Sequence, residues 1–300
     1  MSVLSRGLGA VSTVRPWIQR FMDVDRESKQ TSAIAFFPGD EAGTRFLRDL
    51  LGRGEDIGET DLVLWAPDLE RDVAARAEAL VARKHQGTKV RALLVGSPTE
   101  RRAAERAIGV GSGLEVSDTI QVGSLSGIGA RRAGLEIAST LSDQALAAGR
   151  QRPAFRSSVG EWLIARAARR AAAVGAADIA SSGLPVISAI QMRMVASLAA
   201  MFGRELGAQS AADAAVILGA GFGLRSVARF GARGVPFAGP VVRGGVAYAS
   251  TRALGELAYL RFSGGQPLIA GIPAPAQSAV EKIIERVPGV DPGQSEGSEG

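Results

Sequence analysis

The stretch that decides the fold is "AIAFFPGDEAGTRFLRDLL", residues 33–51. A short apolar run ends at a Pro-Gly turn, and apolar residues at helical spacing follow the turn. Nucleotide-binding proteins hold phosphate at a strand, glycine-containing turn and helix of this kind. The stretch therefore predicts an α/β protein whose first turn either binds phosphate or has lost that ability.

The same alternation of strand and helix continues to residue 148. Further apolar runs are "DLVLWA" (61–66), "KVRALLVG" (89–96) and "DTIQVG" (118–123), and the last helix is expected from about Gly129 to Ala148. Unbroken apolar strands separated by amphipathic helices are typical of a parallel sheet that is covered on both faces. We expect at least four strands.

The second half of the chain has a different composition. Residues 155–262 are rich in Ala, Gly, Val and Leu and show no strand-length alternation. The apolar stretch 179–203 has Arg193 in its middle, which would cost about 2.5–3.5 kcal/mol at the centre of a bilayer. Such interrupted runs predict the buried helices of a compact bundle rather than membrane spans.

Four segments are expected. Residues 1–30 form an N-terminal amphipathic segment, which either lies on an anionic membrane or packs on its own domain. Residues 31–148 form the α/β domain, and residues 149–262 form an Arg-rich linker helix and a helical domain. Residues 263–300 have the composition of a Pro/Gly-rich connector, a short helix and a solvated tail.

Composition and charge exclude several kinds of site. The chain has no cysteine and a single histidine, His85, so disulfides, thiolate nucleophiles and cysteine-ligated zinc are ruled out. The net charge is +5, and residues 145–262 hold 14 basic and 5 acidic side chains. Anionic lipid or an acidic partner surface would balance this excess. Because aromatic residues are scarce and no binding module is visible, we expect no nucleic-acid partner.

The turn departs from a working phosphate loop, which reads GxxxxGK[ST]. Pro38 stands at the first glycine position and is followed by Gly39, while Gly43 keeps the second glycine. Thr44 replaces the lysine, and Arg45 replaces the hydroxyl residue that would hold magnesium. Phosphoryl transfer depends on positioned charge, so these changes predict a turn without catalytic function.

Two carboxylates also oppose phosphate at this turn. Asp40 and Glu41 stand where phosphate oxygens would lie, and like charges repel. We therefore expect a strand-helix turn that is kept as scaffold. Weak binding of a nucleotide or another anion at the helix N-terminus is the alternative, because free N–H groups persist there.

From residue 33 to residue 148 the order of elements resembles a Ras-like, Era-type GTPase domain. "DLVLWAPD" looks like the strand that follows the first switch region, and "VRALLVGSPTE" stands where the family has a strand ending in NKxD. "TIQVGSLSGIGARRAGLEIASTL" is similar to the last strand, the SA loop and the closing helix. Only about 24 residues separate the first two strands, and they contain no DxxG. The resemblance implies degenerate base-reading positions at Gly96, Ser97, Pro98, Glu100 and Ser124.

Residues 184–262 resemble the bacterial GTPase-associated helical domain of unknown function that YcjF-like proteins typify. That family is often fused to a GTPase domain, which agrees with the first resemblance. The matching features are Pro185, Gln191, Met192, Phe202-Gly203, the turn from Pro236 to Pro240, Thr251 and Leu254-Gly255.

These observations predict a degenerate P-loop GTPase-like parallel-sheet domain followed by an α-helical domain. The expected function is that of a non-catalytic scaffold or adaptor without cofactor or metal. Its partner would be a protein, such as a cognate active GTPase, in the cytoplasm or at the inner face of the cell membrane; a homo-oligomer is also compatible with the sequence. Arg166, Arg169 and Arg170 form either a solvated helix face or a docking surface for anionic lipid or an acidic partner.

Two other functions stay open. One is a divergent GTP- or ATP-binding NTPase that uses Arg45 or a lysine from another chain. The other is a membrane-inserting protein whose Gly/Ala-rich helices leave the bundle to form a hairpin in the bilayer.

Overall fold

A parallel sheet with helices on both faces forms the first half of the protein, and long helices form the second. The structure, a computed structural model, describes residues 22–37, 39–52, 54, 60–71, 73–111, 113–177, 183–204 and 240–264. The strands are β1 (Ile34–Phe37), β2 (Leu62–Trp65), β3 (Lys89–Val95) and β4 (Thr119–Val122), and all neighbouring pairs are parallel. The predicted mixed α/β class and the parallel sheet are confirmed.

Helices separate and follow these strands. They are α1 (22–29), α2 (Glu41–Leu51), α3 (Val73–His85), α4 (Pro98–Ala107), α5 (Gly127–Leu141), α6 (Ala145–Gln151), α7 (Arg156–Ala176), α8 (Gly183–Met201) and α9 (Pro240–Phe262). The single helix predicted from Gly129 to Ala148 is wrong in one respect, because the chain forms two helices there. Ser142 has a φ of 54° and ends α5, and a short 3₁₀ turn leads into α6.

The strand order is β1-β2-β3-β4, so each strand lies beside the next one in the chain. In the common doubly wound sheets the first strand is internal, and the order reverses beside it. Here β1 lies at one edge of the described sheet. No reversal of strand order occurs among the described strands.

The helices that connect the strands are divided between the two faces of the sheet. Leu47 of α2 packs in one hydrophobic cluster with Leu64 of β2. Val63 of β2, only one residue earlier, faces the opposite cluster, which contains Leu80 of α3 and Ala104 of α4. Thus α2 covers one face, and α3 and α4 cover the other.

This division gives the first crossover an unusual hand. When the strand order never reverses, crossovers of one hand place all their helices on one face. The β1-α2-β2 crossover is therefore of the opposite hand to the β2-α3-β3 and β3-α4-β4 crossovers. Since about 98% of such connections are right-handed, the first crossover is the left-handed exception.

The helices after β4 pack on the α2 face of the sheet. One continuous cluster of buried residues joins Ile34 of β1 and Ile137 of α5 to Leu198 of α8 and Leu254 of α9. The boundary predicted after residue 148 falls within α6, where residues 145–149 are buried. The sheet and the helical segment thus share one hydrophobic core.

Helix α9 packs antiparallel to α7 at glycine positions. A Cβ atom on Gly255 would lie 2.7 Å from Cγ1 of Ile164, and one on Gly244 would lie 3.0 Å from the carbonyl oxygen of Ala172. Side chains larger than hydrogen at these two positions would force the helices apart. The small residues that mark this segment in the sequence therefore allow close helix packing.

The residues that carry the YcjF-like resemblance meet inside this helical segment. The Gln191 side chain donates a hydrogen bond of 2.8 Å to the Thr251 hydroxyl, and both residues are buried. The ring of Phe202 meets that of Tyr259 edge to face, with centroids 5.2 Å apart. These residues join α8 to α9. Residues 205–239, which include Pro236, lie outside the described part of the chain.

Of the two expectations for the N-terminal segment, packing on its own domain holds for residues 22–29. Val24 is fully buried in the main core. Arg150 donates to the Ser28 hydroxyl at 2.9 Å, which ties α1 to α6. Residues 1–21 lie outside the described part. Within the described residues, no helix combines the length and the apolar character needed to cross a membrane.

Candidate functional site

The turn after β1 packs directly on the end of β2. The Asp40 backbone N–H donates to the carbonyl oxygen of Ala66 at 2.8 Å. A Cβ atom on Gly39 would lie 1.8 Å from that oxygen, and one on Gly43 would lie 2.5 Å from the Ala66 Cβ atom. Glycine is thus required here for close contact with β2. Pro38 itself lies outside the described residues.

A side chain of the protein occupies the N-terminus of α2. The Asp40 carboxylate accepts a hydrogen bond from the Gly43 backbone N–H at 2.7 Å and caps the helix. The free N–H groups and the positive end of the helix dipole make such a position attractive to anions. Here Asp40 provides the negative charge that a bound phosphate would otherwise bring.

Both substitute residues in the turn have contacts or surroundings other than a phosphate. The guanidinium of Arg45 pairs with the carboxylate of Glu41 one turn earlier at 2.5 Å, and both side chains are largely exposed to solvent. The hydroxyl oxygen of Thr44 is buried and has no hydrogen-bond partner within the described structure. The Arg45 cation is thus paired with Glu41 at the start of α2, and the Thr44 hydroxyl is buried.

The predicted base-reading residues after β3 begin α4. Ser97 and Glu100 form a capping box, in which Glu100 accepts from the Ser97 N–H at 2.7 Å and Ser97 accepts from the Glu100 N–H at 3.3 Å. Hydrogen bonds from Ser97 lower the pKa of Glu100 below its ordinary value. Pro98 opens the helix, and the Gly96 N–H donates to Val122 on β4. Helix capping accounts for the contacts of Ser97, Pro98 and Glu100, whereas the Gly96 N–H bond links the end of β3 to β4.

Ser124 lies in the tight turn between β4 and α5. Its hydroxyl donates to the carbonyl oxygen of Ser126 at 3.2 Å. A Cβ atom on Gly129 would lie 2.0 Å from the carbonyl oxygen of Ser124, so α5 starts in direct contact with this turn. The contact accounts for the second glycine of the G.G pattern; the first, Gly127, has a φ of 51°.

The predicted arginine surface is only partly assembled as expected. Arg166 and Arg170 of α7 line a cavity of about 310 Å³, and Arg193 of α8 joins them there. Arg169 and Arg170 are both exposed, but Arg169 is not among the residues that line this cavity. In the sequence, Arg193 stands out only as a charge within an apolar stretch. The sequence does not show that Arg193 lies near the arginines of α7, because tertiary packing brings the two helices together.

The three cavity arginines differ in their partners. Arg166 lies 5.0 Å above the ring of Trp162, and its guanidinium is 3.8 Å from the Asp143 carboxylate. Arg193 contacts both oxygens of Glu27 at 2.7 and 2.8 Å. Arg170 makes no ion pair with any described residue; burial, and then the proximity of Arg166 and Arg193, lower its pKa.

The arginines just before α7 have structural roles. Arg150 donates to Ser28, and Arg152 donates to the carbonyl oxygen of Ser32 at 2.9 Å. Arg156 donates at 3.3 Å to carbonyl oxygens at the end of α6, and its guanidinium lies 5.5 Å from the Phe202 ring centroid. These side chains fasten α1 and α6 to the helical segment, so they do not extend the cavity surface.

No metal site is formed by the described residues, since no cluster of three or more His, Asp or Glu side chains occurs among them. The one histidine, His85, lies in the last turn of α3. A cation at this end of a helix is favourable because it faces unpaired carbonyl groups. The structure thus places His85 where a structural role suffices.

No family model, curated protein or solved structure matches this chain. The resemblance to GTPases stated from the sequence therefore stays a prediction.

Proposed function

We propose that this protein is a pseudo-GTPase adaptor, which uses a degenerate P-loop GTPase-like unit to bind a protein partner without catalysis. The observation that carries the proposal is the Asp40 carboxylate at the N-terminus of α2, 2.7 Å from the Gly43 nitrogen. A phosphate would have to displace this carboxylate. It would then meet the repulsion of Asp40 and Glu41 without a lysine or a bound metal to offset it.

The topology supports descent from a doubly wound sheet. In such a sheet the chain leaves β1 in one direction and returns in the other, so right-handed crossovers put the helices of the two directions on opposite faces. Helices α2 and α3 keep that division although the strand order no longer reverses. Loss of the outward strands would produce the left-handed β1-α2-β2 crossover directly.

If the outward strands were lost, β2 would correspond to a different strand of a GTPase domain. "DLVLWA" would match the strand on the return side of β1 rather than the strand that follows the first switch region. The switch threonine and the magnesium-linked aspartate would then have been lost together with the outward strands. The short connection of about 24 residues between the first two strands agrees with such a loss.

Exposed apolar side chains lie near the carboxyl ends of three strands. They support the binding of a partner at this carboxyl edge of the sheet, the side where the strands end. Leu69 follows β2, Val95 ends β3 and Ile128 follows β4, with 45%, 37% and 85% of their surfaces exposed. Apolar side chains that remain exposed around one edge suit the contact area of a protein partner. A cognate active GTPase at the inner face of the cell membrane fits the adaptor role.

Nucleotide addition tests the non-catalytic part of the proposal. Thermal unfolding of the full chain should be unchanged by GTP or ATP with magnesium. A ligand at a hundred times its dissociation constant would add about 2.7 kcal/mol to the free energy of unfolding. A shift that disappears in Arg45→Gln would favour the divergent NTPase instead.

Site-specific crosslinking in the native host tests the adaptor part. A photoreactive amino acid at position 128 should give a discrete adduct with another protein. Position 116 is the matched control, because Val116 is 62% exposed but precedes β4 at the opposite edge of the sheet. Equal labelling from both positions, or none from position 128, would count against a partner at the carboxyl edge.

A further inference from the structure

The cavity between α7 and α8 has a cationic rim and an apolar floor. Its rim carries Arg166, Arg170 and Arg193 from two helices. Trp162, Leu163, Ile190 and Met194 contribute to its apolar lining. This combination differs from an ordinary solvated helix face, where arginines point separately into water.

The charges in the cavity are incompletely balanced. Glu27 and Asp143 are the acidic side chains in its lining, against three arginines. The Asp143 side chain is 83% exposed and lies 3.8 Å from Arg166, so its attraction is largely screened by water. Arg170 has no ion pair with any described residue, and two other guanidinium groups face the same space.

The arrangement of donors favours a phosphate group over a carboxylate. A single carboxylate is already matched by one guanidinium, as Glu27 is by Arg193. A phosphomonoester carries about −1.5 to −2 charge and three acceptor oxygens, so it can accept from several guanidinium groups at once. The adjacent apolar floor would hold the organic part of the same molecule.

We propose that this cavity binds a phosphomonoester attached to an apolar body, with Arg170 as the principal contact. The inference is independent of the adaptor function and names a ligand chemistry for the arginine docking surface expected from the sequence. It replaces the sequence-derived set of Arg166, Arg169 and Arg170 with Arg166, Arg170 and Arg193. A soluble phosphate compound and a phosphatidic acid headgroup share this chemistry, and the test separates them.

The test compares two neighbouring arginines that carry the same charge. Binding of phenyl phosphate to the full chain is measured by calorimetry, and binding to phosphatidylcholine vesicles containing phosphatidic acid is measured by sedimentation. Arg170→Gln should weaken binding by about tenfold or more, since a hydrogen bond to a charged group is worth about 1.5–3 kcal/mol. Arg169→Gln removes the same charge outside the cavity and should retain nearly full affinity.

Each result bears on the proposal. Binding of phenyl phosphate that Arg170→Gln selectively weakens supports a soluble ligand, and the same pattern with vesicles alone supports the lipid headgroup. Equal losses in Arg169→Gln and Arg170→Gln would show general electrostatic attraction and overturn the proposal. Failure of both probes to bind would also overturn it. Vesicles with phosphatidylserine at equal surface charge control for charge alone, and nucleotide titrations separately test the adaptor function.

Discussion

Gly39→Ala is the substitution that probes most directly whether the first turn is closed. An added Cβ atom would lie 1.8 Å from the carbonyl oxygen of Ala66, 2.9 Å from its carbonyl carbon and 3.1 Å from Nε1 of Trp65. Two of these neighbours are backbone atoms at the end of a buried strand, so they cannot move aside by a rotamer change. The turn must retreat from β2 and break the 2.8 Å hydrogen bond from Asp40 to Ala66.

The expected loss of stability is the sum of two destabilising effects minus one stabilising effect. Breaking a partly buried backbone hydrogen bond costs about 1–3 kcal/mol, and overpacking costs about 1–3 kcal/mol. Replacing glycine by alanine restricts the unfolded chain and returns about 0.4–1 kcal/mol. We therefore expect Gly39→Ala to lower the free energy of unfolding by about 1–5 kcal/mol.

Urea denaturation followed by circular dichroism measures this loss. Gly123→Ala is the matched control, because no atom lies within 4 Å of an added Cβ atom at that turn. Its stability should stay within about 0.5 kcal/mol of the parent protein. If Gly39→Ala were as stable as Gly123→Ala, the turn would not be packed on Ala66, and room for a phosphate would remain.

Four further substitutions test helix packing, a buried hydrogen bond and a helix cap. Gly245→Ala, whose added Cβ atom meets no atom within 4 Å, should stabilise α9 by about 0.5–1 kcal/mol in thermal unfolding, whereas Gly255→Ala should gain nothing or lose stability. Thr251→Val removes one acceptor of the buried Gln191 side chain and should cost about 1–3 kcal/mol in urea denaturation; an unchanged midpoint would show that this hydrogen bond adds no stability. The pKa of Glu100 is lowered in the folded state, so its contribution is present above its ordinary value of 4.5 and is lost as the pH falls through the lower folded-state value. The stability difference between the parent and Glu100→Gln should therefore shrink on acidification, and a difference that grows would reverse the sign.

The sheet could be predicted from the sequence because its strands are unbroken apolar runs between helices. Both faces of these strands are buried, as the fully buried Val63 and Leu64 show. Because both faces are buried, the sequence does not show the hand of the first crossover. A strand that is apolar on both sides does not reveal which residue faces α2, so the side on which each helix packs depends on tertiary contacts.

The candidate site was predictable where the local pattern decides the outcome. Asp40 with a glycine turn indicates a capped helix that repels phosphate, and the structure has this cap. The pattern Ser-x-x-Glu at residues 97–100 already indicates a capping box, although its position suggested degenerate base reading. Arg193 could not be assigned to the cavity from sequence, because its partners lie on a separate helix. The end of α5 at Ser142 could not be predicted, because no glycine or proline stands there to indicate a helix end.

The nucleotide content of the protein isolated from its native host tests the central claim most directly. The protein is purified without added nucleotide, denatured, and its released small molecules are separated by anion-exchange chromatography. The Asp40 carboxylate caps the N-terminus of α2, and Ala66 packs against the turn before it. The account therefore predicts far less than one guanine or adenine nucleotide per chain. Recovery of one nucleotide per chain would contradict it.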